Sequence, residues 1–488
     1  MGLPEPLVSE KADKEPSRFS NEQFKKIILL ILGVCFMAVI YWILPGGYST
    51  TAKLMISLLA LSVFYWTFEP IPLGMTSVLL LVLMLILDVA SIDIVFSGFS
   101  SPALFLIIAG MMLAKGVNAT VLPKRMAFYI LAKWGGNAKG LLASIIMIPQ
   151  VQAFFIPTAA VRSTLLMPIA LMSLDYIGDK GKGNLRKMIL LGVAFGGTIS
   201  GTIVLTAAIG NILAVELLKE FTGIQITYIQ WFLYTVPIWL LLIPASWFVL
   251  LKCFPLPKGE EQFPHVKAEM GKKLKSLGRM GIAEKKCLAI LFTIVCLWFS
   301  EPFHGLNPAI PALVGVILMS LPGTGIAKWE DIVKINFDTI LLTGATLSLG
   351  YAFNDSGASQ FVGNSLSAEW ILNLLQSPIM AVTTILIITH ILHLAVANVS
   401  TAVVTLIPIY IGLSASAGVD PVLICLTAAL ACLHGYILVV ESTPNIVVYS
   451  SGQIQQKIFL LPGLIMTLVM IVVTIAVAMT WWNWIGLM

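Results

Sequence analysis

Charge is what this chain has least of: only 11% of its 488 residues are Asp, Glu, Lys or Arg, while 58% are hydrophobic and the mean hydropathy is +0.95. A water-soluble domain carries about twice that charged fraction, so composition alone excludes the soluble globular class. Cysteines are few. Cys35, Cys253, Cys287, Cys296, Cys425 and Cys432 sit mostly in apolar segments without metal-type spacing, and read as buried residues rather than disulfides or ligands. There is no HExxH, GxSxG or paired-acid motif, which argues against an intramembrane enzyme. There is no basic face interleaved with aromatics, so the net charge of +5 belongs to loops and no nucleic-acid partner is expected. Residues 1–24 are polar and lack the pattern of a cleaved signal peptide.

Present instead are repeated apolar runs, each near the roughly 20 residues that span a bilayer. They cover about 27–46, 50–67, 71–89 and 102–118. Lys124–Asn137 is basic, aromatic and amphipathic, as in a helix lying in the interface. A broken apolar segment follows at 139–172, then a helix over 188–217 interrupted by GGTISGTIV and AAIGN, then a span at 229–251. Residues 252–286 are polar, carry nine Lys/Arg and read as a linker. The second half repeats this plan. Glu301-Pro302 answers Glu69-Pro70, a span near 338–354 precedes the amphipathic Phe361–Gln376, and a second broken segment covers 380–413. An interrupted helix at 421–450 and a span at 459–482 complete it.

Lys and Arg mark cytoplasmic loops. The N-terminal region, 124–139, 175–187, 252–286 and Lys457 are basic, whereas 355–378 and 413–421 contain acids but neither Lys nor Arg. All basic stretches fall on one side only if both broken segments are re-entrant hairpins. The expected fold is therefore an all-α polytopic membrane protein of about eleven spans plus two hairpins, related as an inverted repeat. Its parts are a cytoplasmic tail (1–26), a first helix and first repeat (27–251, hairpin 139–172), a cytoplasmic linker (252–284) and a second repeat (285–488, hairpin 380–413). The N-terminus is placed inside a bacterial plasma membrane and the C-terminus outside.

The two hairpins carry the matching stretches Pro157–Pro168 (PTAAVRSTLLMP) and Ala397–Pro408 (ANVSTAVVTLIP), in which Thr158 and Asn398 stand at the same distance before the closing proline. Non-helical backbone inside a bilayer must be satisfied by protein, water or ligand. One such break in each half is the strongest sequence pointer to a transporter site near the midplane. Gly196, Gly197, Gly201, Gly210 and Asn211 in the first interrupted helix, and Asn445 in the second, mark where helices unwind.

Glu69-Pro-Ile-Pro-Leu, Phe105-Leu-Ile-Ile-Ala-Gly, the two hairpins and Ser442-Thr-Pro-Asn-Ile-Val-Val-Tyr449 together resemble the divalent anion/sodium symporter family of di- and tricarboxylate carriers, whose motif at the last position is TPPNAIVY. The resemblance covers nearly everything after residue 25. It implies a homodimer with a scaffold domain and a transport domain that moves as an elevator. It also implies hairpin tips whose Ser-Asn-Thr motifs touch substrate carboxylates, with sodium held between each tip and the following unwound helix. Here the tips read Thr158-Ala159-Ala160 and Asn398-Val399-Ser400, Glu441 replaces a family glycine, and Ala207-Ala208-Ile209-Gly210-Asn211 replaces a Pro-Pro-Asn run. The resemblance therefore implies weakened sodium sites near Thr158/Ala207 and Asn398/Glu441. In its first half the chain looks more like the dicarboxylate exchangers, which also have an arginine just past the tip, as Arg162 is here.

On their own chemistry, Arg162 supplies a permanent forked cation to an anion pocket, or else snorkels to the interface. Glu441, an acid within an apolar run, is a proton-coupling group, a fixed partner for Arg162 or a histidine, or a neutral acid bonded to unwound backbone. His393 and His434 are better placed than His390 to compensate charge. Thr158, Ser400, Thr401, Ser442 and Thr443, with Pro444 beside them, set short hydroxyls at helix N-termini, which attract anions. Asn398 and Asn445 add amides. The sequence thus points to a secondary active transporter of small organic anions, foremost dicarboxylates of the succinate, malate or 2-oxoglutarate type, working by exchange or proton coupling. The alternative is a sodium-coupled dicarboxylate or sulfate-like oxyanion symporter. Besides Na+ or H+ as coupling ion no cofactor is expected, and the partners are the anion, the bilayer and a second copy.

Overall fold

A computed structural model describes residues 21–47, 49–178, 183–257, 262–323, 325–365, 372–394, 396 and 399–488; among them every regular element is helical. Helix Asn21–Ile43 comes first. It turns Ile31, Trp42 and Ile43 outward at 58%, 82% and 72% exposure, a surface that only lipid or another apolar partner accommodates. The first half then runs Thr50–Phe68, Leu73–Ile86, Pro102–Asn118 and Leu122–Trp134. Next come the hairpin arms Ala138–Gln152 and Ala159–Ile177, a broken helix (Asn184–Ile199, then Ile209–Thr222) and Tyr228–Cys253.

The second half has the same succession: Ile282–Phe299, Ala309–Ser320, Phe337–Asp355 and Ala358–Ser365, then the hairpin arms Pro378–His393 and Val399–Ala417. A second broken helix (Pro421–Leu433, then Thr443–Ser450) and Lys457–Val477 close it. The paired helices Ala138–Gln152 with Ala159–Ile177 and Pro378–His393 with Val399–Ala417 lie over the segments 139–172 and 380–413. Part of the amphipathic segment 361–376 and the tip residue Asn398 lie outside the described residues.

Local chemistry sets the helix boundaries. Ser49 accepts from Ala52 N–H (3.1 Å), Asn137 from Gly140 N–H (2.8 Å), and Thr227 forms a reciprocal capping box with Gln230. Among the described residues seven helices are long and apolar enough to cross a membrane by length and composition, and four shorter apolar helices accompany them. The broken helices escape that criterion because each is in two pieces.

The halves interlock. Ala309–Ser320 of the second packs on Pro102–Asn118 of the first, and Phe337–Asp355 of the second packs on Leu73–Ile86 of the first. The hairpins and broken helices, with Tyr228–Cys253 and Lys457–Val477 packed on them, form a bundle whose core is continuous with Pro102–Asn118 and Ala309–Ser320. Its centre, Met188–Ile199 and Val422–Leu433, is buried throughout.

The basic linker is more than a tether. Pro264–Ser276 is a helix packed on Leu122–Trp134, and Phe263 N–H bonds Gly136 O at 2.8 Å. Arg125 grips Glu284 through Nε (2.6 Å) and Nη2 (3.0 Å) while donating to Gly278 O (2.9 Å), so it ties Leu122–Trp134 to the start of Ile282–Phe299. A forked, mostly buried pair of this kind leaves a costly orphan when halved. Arg125→Gln should therefore lower the thermal midpoint in detergent by several degrees, at about 1–3 kcal/mol. An unchanged midpoint would show the clamp to be idle.

Candidate functional site

The hairpin tips and the helix breaks meet at one cavity of about 630 Å³, a volume suited to a small molecule. Four helices begin at its wall, at Ala159, Ile209, Val399 and Thr443. Their first N–H groups and positive dipole ends face the same space, and an anion is what such a convergence stabilises. Thr158 is the N-cap of the first, accepting from Val161 N–H at 3.4 Å, and Ser442 the N-cap of the last, accepting from Asn445 N–H at 3.4 Å.

The cavity wall contains Thr158, Ala159, Ala160, Gly210, Val399, Ser400, Ser442, Thr443 and Pro444 among the residues singled out from sequence. It also contains Thr198, which the sequence reading passed over although it lies inside the GGTISGT interruption. Its Oγ1 lies 3.2 Å from Ser442 Oγ, so the two breaks meet through paired hydroxyls at the wall. Gly197 makes this approach feasible, because a Cβ there would run into Ser163 Oγ and come within 3.0 Å of Pro444 Cβ. The rim at the open end is formed by Glu69, Asn336, Asp338 and Thr339. Only folding brings the scaffold turn at Glu69 and the start of Phe337–Asp355 to one mouth. Thr198→Val should raise the apparent KM for the transported anion about five- to tenfold, the worth of one hydrogen bond, with the thermal midpoint little changed. An unaltered KM would remove Thr198 from the binding surface.

The other residues form a layer behind the wall. The breaks are built alike: Asn211 Nδ2 donates to Gly201 O (2.8 Å) and Val204 O (3.4 Å), ten and seven residues upstream. Asn445 Nδ2 donates to Gly435 O (3.2 Å) and Leu438 O (3.0 Å), at the same two separations. This register makes Ala207 the counterpart of Glu441. In the hairpins, Ala402 stands before Pro408 where Arg162 stands before Pro168.

The two positions differ in charge. Arg162 is fully buried; its Nε donates to Ser200 Oγ (2.9 Å), Nη1 to Ile156 O and Nη2 to Ala207 O (3.0 Å). The guanidinium thus bridges the tip backbone and the break backbone, out of reach of both the cavity and the interface. Among the described residues no carboxylate forms an ion pair with it. In the second half the hairpin position is neutral and the break carries the charge. Glu441 Oε2 accepts from Ile437 N–H at 2.9 Å, while Oε1 has no recorded partner. Asn445 Oδ1, both ring nitrogens of His393 and, in the second hairpin, Thr401 Oγ1 are also buried without a hydrogen-bond partner among the described residues. His393 lies beside Glu441: a Cβ on Gly435 would touch the Glu441 side chain and come within 3.0 Å of His393 Cε1.

His434 and His390 are placed differently. His434 Nδ1 faces Leu430 O at 2.7 Å and so carries a proton there, while Nε2 lies 3.0 Å from Thr202 Oγ1. His434 is a satisfied brace between the breaks. His390 lies against Met470, 3.4 Å from its sulfur. Gly196 packs against Ile146 and Pro149, and Gly201 against Leu433, so both serve helix packing behind the wall.

Residues 23–488 match the family described as "Sodium:sulfate symporter transmembrane region". The chain is 24% identical over 491 residues to a sodium-dependent dicarboxylate transporter, SdcS, of Staphylococcus saprophyticus, covering 94% of this chain and 93% of that protein. It is 25% identical over 483 residues to an uncharacterized transporter of Haemophilus influenzae, covering 95% and 98%. Among solved structures it is similar in fold to MtrF of Neisseria gonorrhoeae, with a TM-score of 0.51 at 10% identity and 94% of each chain covered.

Proposed function

The chain belongs to the family of the sodium:sulfate symporter transmembrane region, and on that premise we propose that it carries small organic anions, dicarboxylates first, by exchange or proton coupling without a strict need for sodium. The observation that carries this reading is the charge layout behind the wall. The first tip-to-break contact already holds a cation, because Arg162 spans Ile156 O and Ala207 O. Those carbonyls face a guanidinium, so the anion's charge is offset there by a group that never leaves. The second contact has the opposite composition: an acid, Glu441, with a spare acceptor on Asn445 of the same break. That is a place for a proton or one cation.

The anion sits between the tips, held by the four helix N-termini and by Thr158, Thr198, Ser442 and Thr443. The tips lack two side-chain amides of the carboxylate-binding motif, so the backbone supplies more of the binding. Transport follows when the bundle of hairpins and broken helices slides past the interlocked scaffold, which also forms the homodimer contact. The division into tail, two repeats and linker, with the basic loops cytoplasmic in a bacterial plasma membrane, makes the Glu69 rim the inner mouth.

Uptake of labelled succinate into liposomes tests the reading, comparing empty with malate-loaded vesicles, with and without a sodium gradient. Uptake that requires internal dicarboxylate and ignores sodium is expected. Sodium-driven uptake into empty vesicles would sink it and transfer the coupling to a sodium ion at Glu441.

A further inference from the structure

The two Glu-Pro turns have matching surroundings in sequence, Tyr65-Trp-Thr-Phe-Glu-Pro70 and Leu297-Trp-Phe-Ser-Glu-Pro302, yet the structure uses them differently. At the sealed end Glu301 is buried, and Tyr228 N–H donates to its Oε2 at 2.8 Å. That bond joins a scaffold turn to the first residue of the long helix of the central bundle. Around it Trp298 stacks on the Tyr228 ring (centroids 5.1 Å apart, planes at 22°) and donates Nε1–H to Pro308 O at 2.9 Å. The Tyr228 hydroxyl lies 3.2 Å from Thr206 Oγ1 of the first break.

The other copy is disengaged at every one of these points. Glu69 is exposed at the cavity rim, without a side-chain partner among the described residues, and its backbone is left-handed at φ 44°. A non-glycine residue holds that conformation at a cost. Trp66 Nε1 and Thr67 Oγ1 are buried atoms with no hydrogen-bond partner among the described residues. Val440, which the Asn211/Asn445 register pairs with Thr206, is 45% exposed where Thr206 is 4% exposed. The helix Lys457–Val477, counterpart of Tyr228–Cys253, begins after Gln456 with no side-chain cap.

We propose that the two Glu-Pro turns are alternate latches: Glu301 holds the N-terminus of Tyr228–Cys253 in the state seen here, and Glu69 takes the N-terminus of Lys457–Val477 in the opposite state. This rests on the moving-bundle part of the reading above, though on neither its substrate nor its coupling ion. When the bundle shifts, the Glu301 bond and the Trp298–Tyr228 stack open together. At the other mouth the orphaned Trp66 and the uncapped helix gain partners, and Glu69 can leave its left-handed turn. Each latch releases as the other closes, which keeps both mouths from opening at once.

Hydrogen–deuterium exchange on the full chain in nanodiscs without added anion tests this, reading peptides over residues 225–232 (the seam) and 336–342 (the rim). Glu301→Ala should speed exchange at the seam about tenfold or more and slow it at the rim. Glu69→Ala should do the reverse, and the double variant should return toward wild type. Glu301→Gln, which keeps an acceptor oxygen, should behave as wild type. Residues 188–199 should stay protected in all four, which separates a shifted equilibrium from unfolding. If Glu301→Ala loosens the seam without altering the rim, or if both single variants move the rim the same way, the latch idea fails. Absence of succinate uptake would overturn the substrate reading and leave this result standing.

Discussion

Arg162→Ala should reduce sodium-independent uptake by at least about a hundredfold, and what remains should depend on external sodium. The guanidinium satisfies Ser200 Oγ, Ile156 O and Ala207 O from within the protein, all shielded from water. Removing it takes the donor from two carbonyls, each worth about 1–3 kcal/mol, while Ser200 Oγ keeps its bond to Gly197 O, and the tip loses its tie to the break. The losses are not additive, but the two at mid-range, about 4 kcal/mol together, exceed the roughly 2.8 kcal/mol that a hundredfold represents. Sodium takes oxygen ligands, and the two exposed carbonyls are a start on such a set. Arg162→Lys should fall between, since an ammonium reaches fewer of three spread acceptors than a fork does. Sodium-independent uptake by Arg162→Ala within threefold of wild type would mean that the guanidinium only props the hairpin.

Glu441→Gln should abolish the pH response of uptake while keeping exchange. Glutamine retains an oxygen for Ile437 N–H, so the break keeps its shape, but it cannot gain or lose a proton. Wild-type uptake should climb as the medium is taken from about pH 7.5 to about pH 5.5, with one proton per cycle limiting the slope to about tenfold per pH unit. The variant should be flat across that range. Glu441→Leu separates the two roles, because it leaves the Ile437 amide unpaired as well and should lower the thermal midpoint. A pH response that survives in Glu441→Gln would move the proton to His393, whose ring nitrogens lie buried beside the same carboxylate.

Much of the architecture could be read from the chain because a bilayer restricts what a sequence can do. Apolar runs must be helices, and the paired interruptions at Pro157–Pro168 and Ala397–Pro408 had to be sheltered breaks. The cavity wall was legible for the same reason, since hydroxyls and small residues cluster at the helix starts. The layer behind it was not. Arg162 could be seen to be costly, but its acceptors on Ser200 and Ala207 lie 38 and 45 residues away, so neither a pocket nor an interface reading captured its bridging position. Likewise nothing in sequence distinguishes His434, bonded at both nitrogens, from His393, bonded at neither among the described residues. The linker helix Pro264–Ser276 was hidden by its charge, which resembles a loop until Leu122–Trp134 covers its buried face.

The interlocking of the halves bears on how such a molecule is made. Ala309–Ser320 rests on Pro102–Asn118, Phe337–Asp355 rests on Leu73–Ile86, and the breaks are stitched by Thr198–Ser442 and Thr202–His434. During synthesis the first half therefore enters the bilayer with its apolar grooves and two hydroxyls still waiting for groups not yet translated. It must persist as an open intermediate until the second half arrives. Severed between the halves, the protein should behave as a fragment-complementation pair: either polypeptide alone should be cleared by membrane proteases, whereas both expressed together should protect each other and restore uptake.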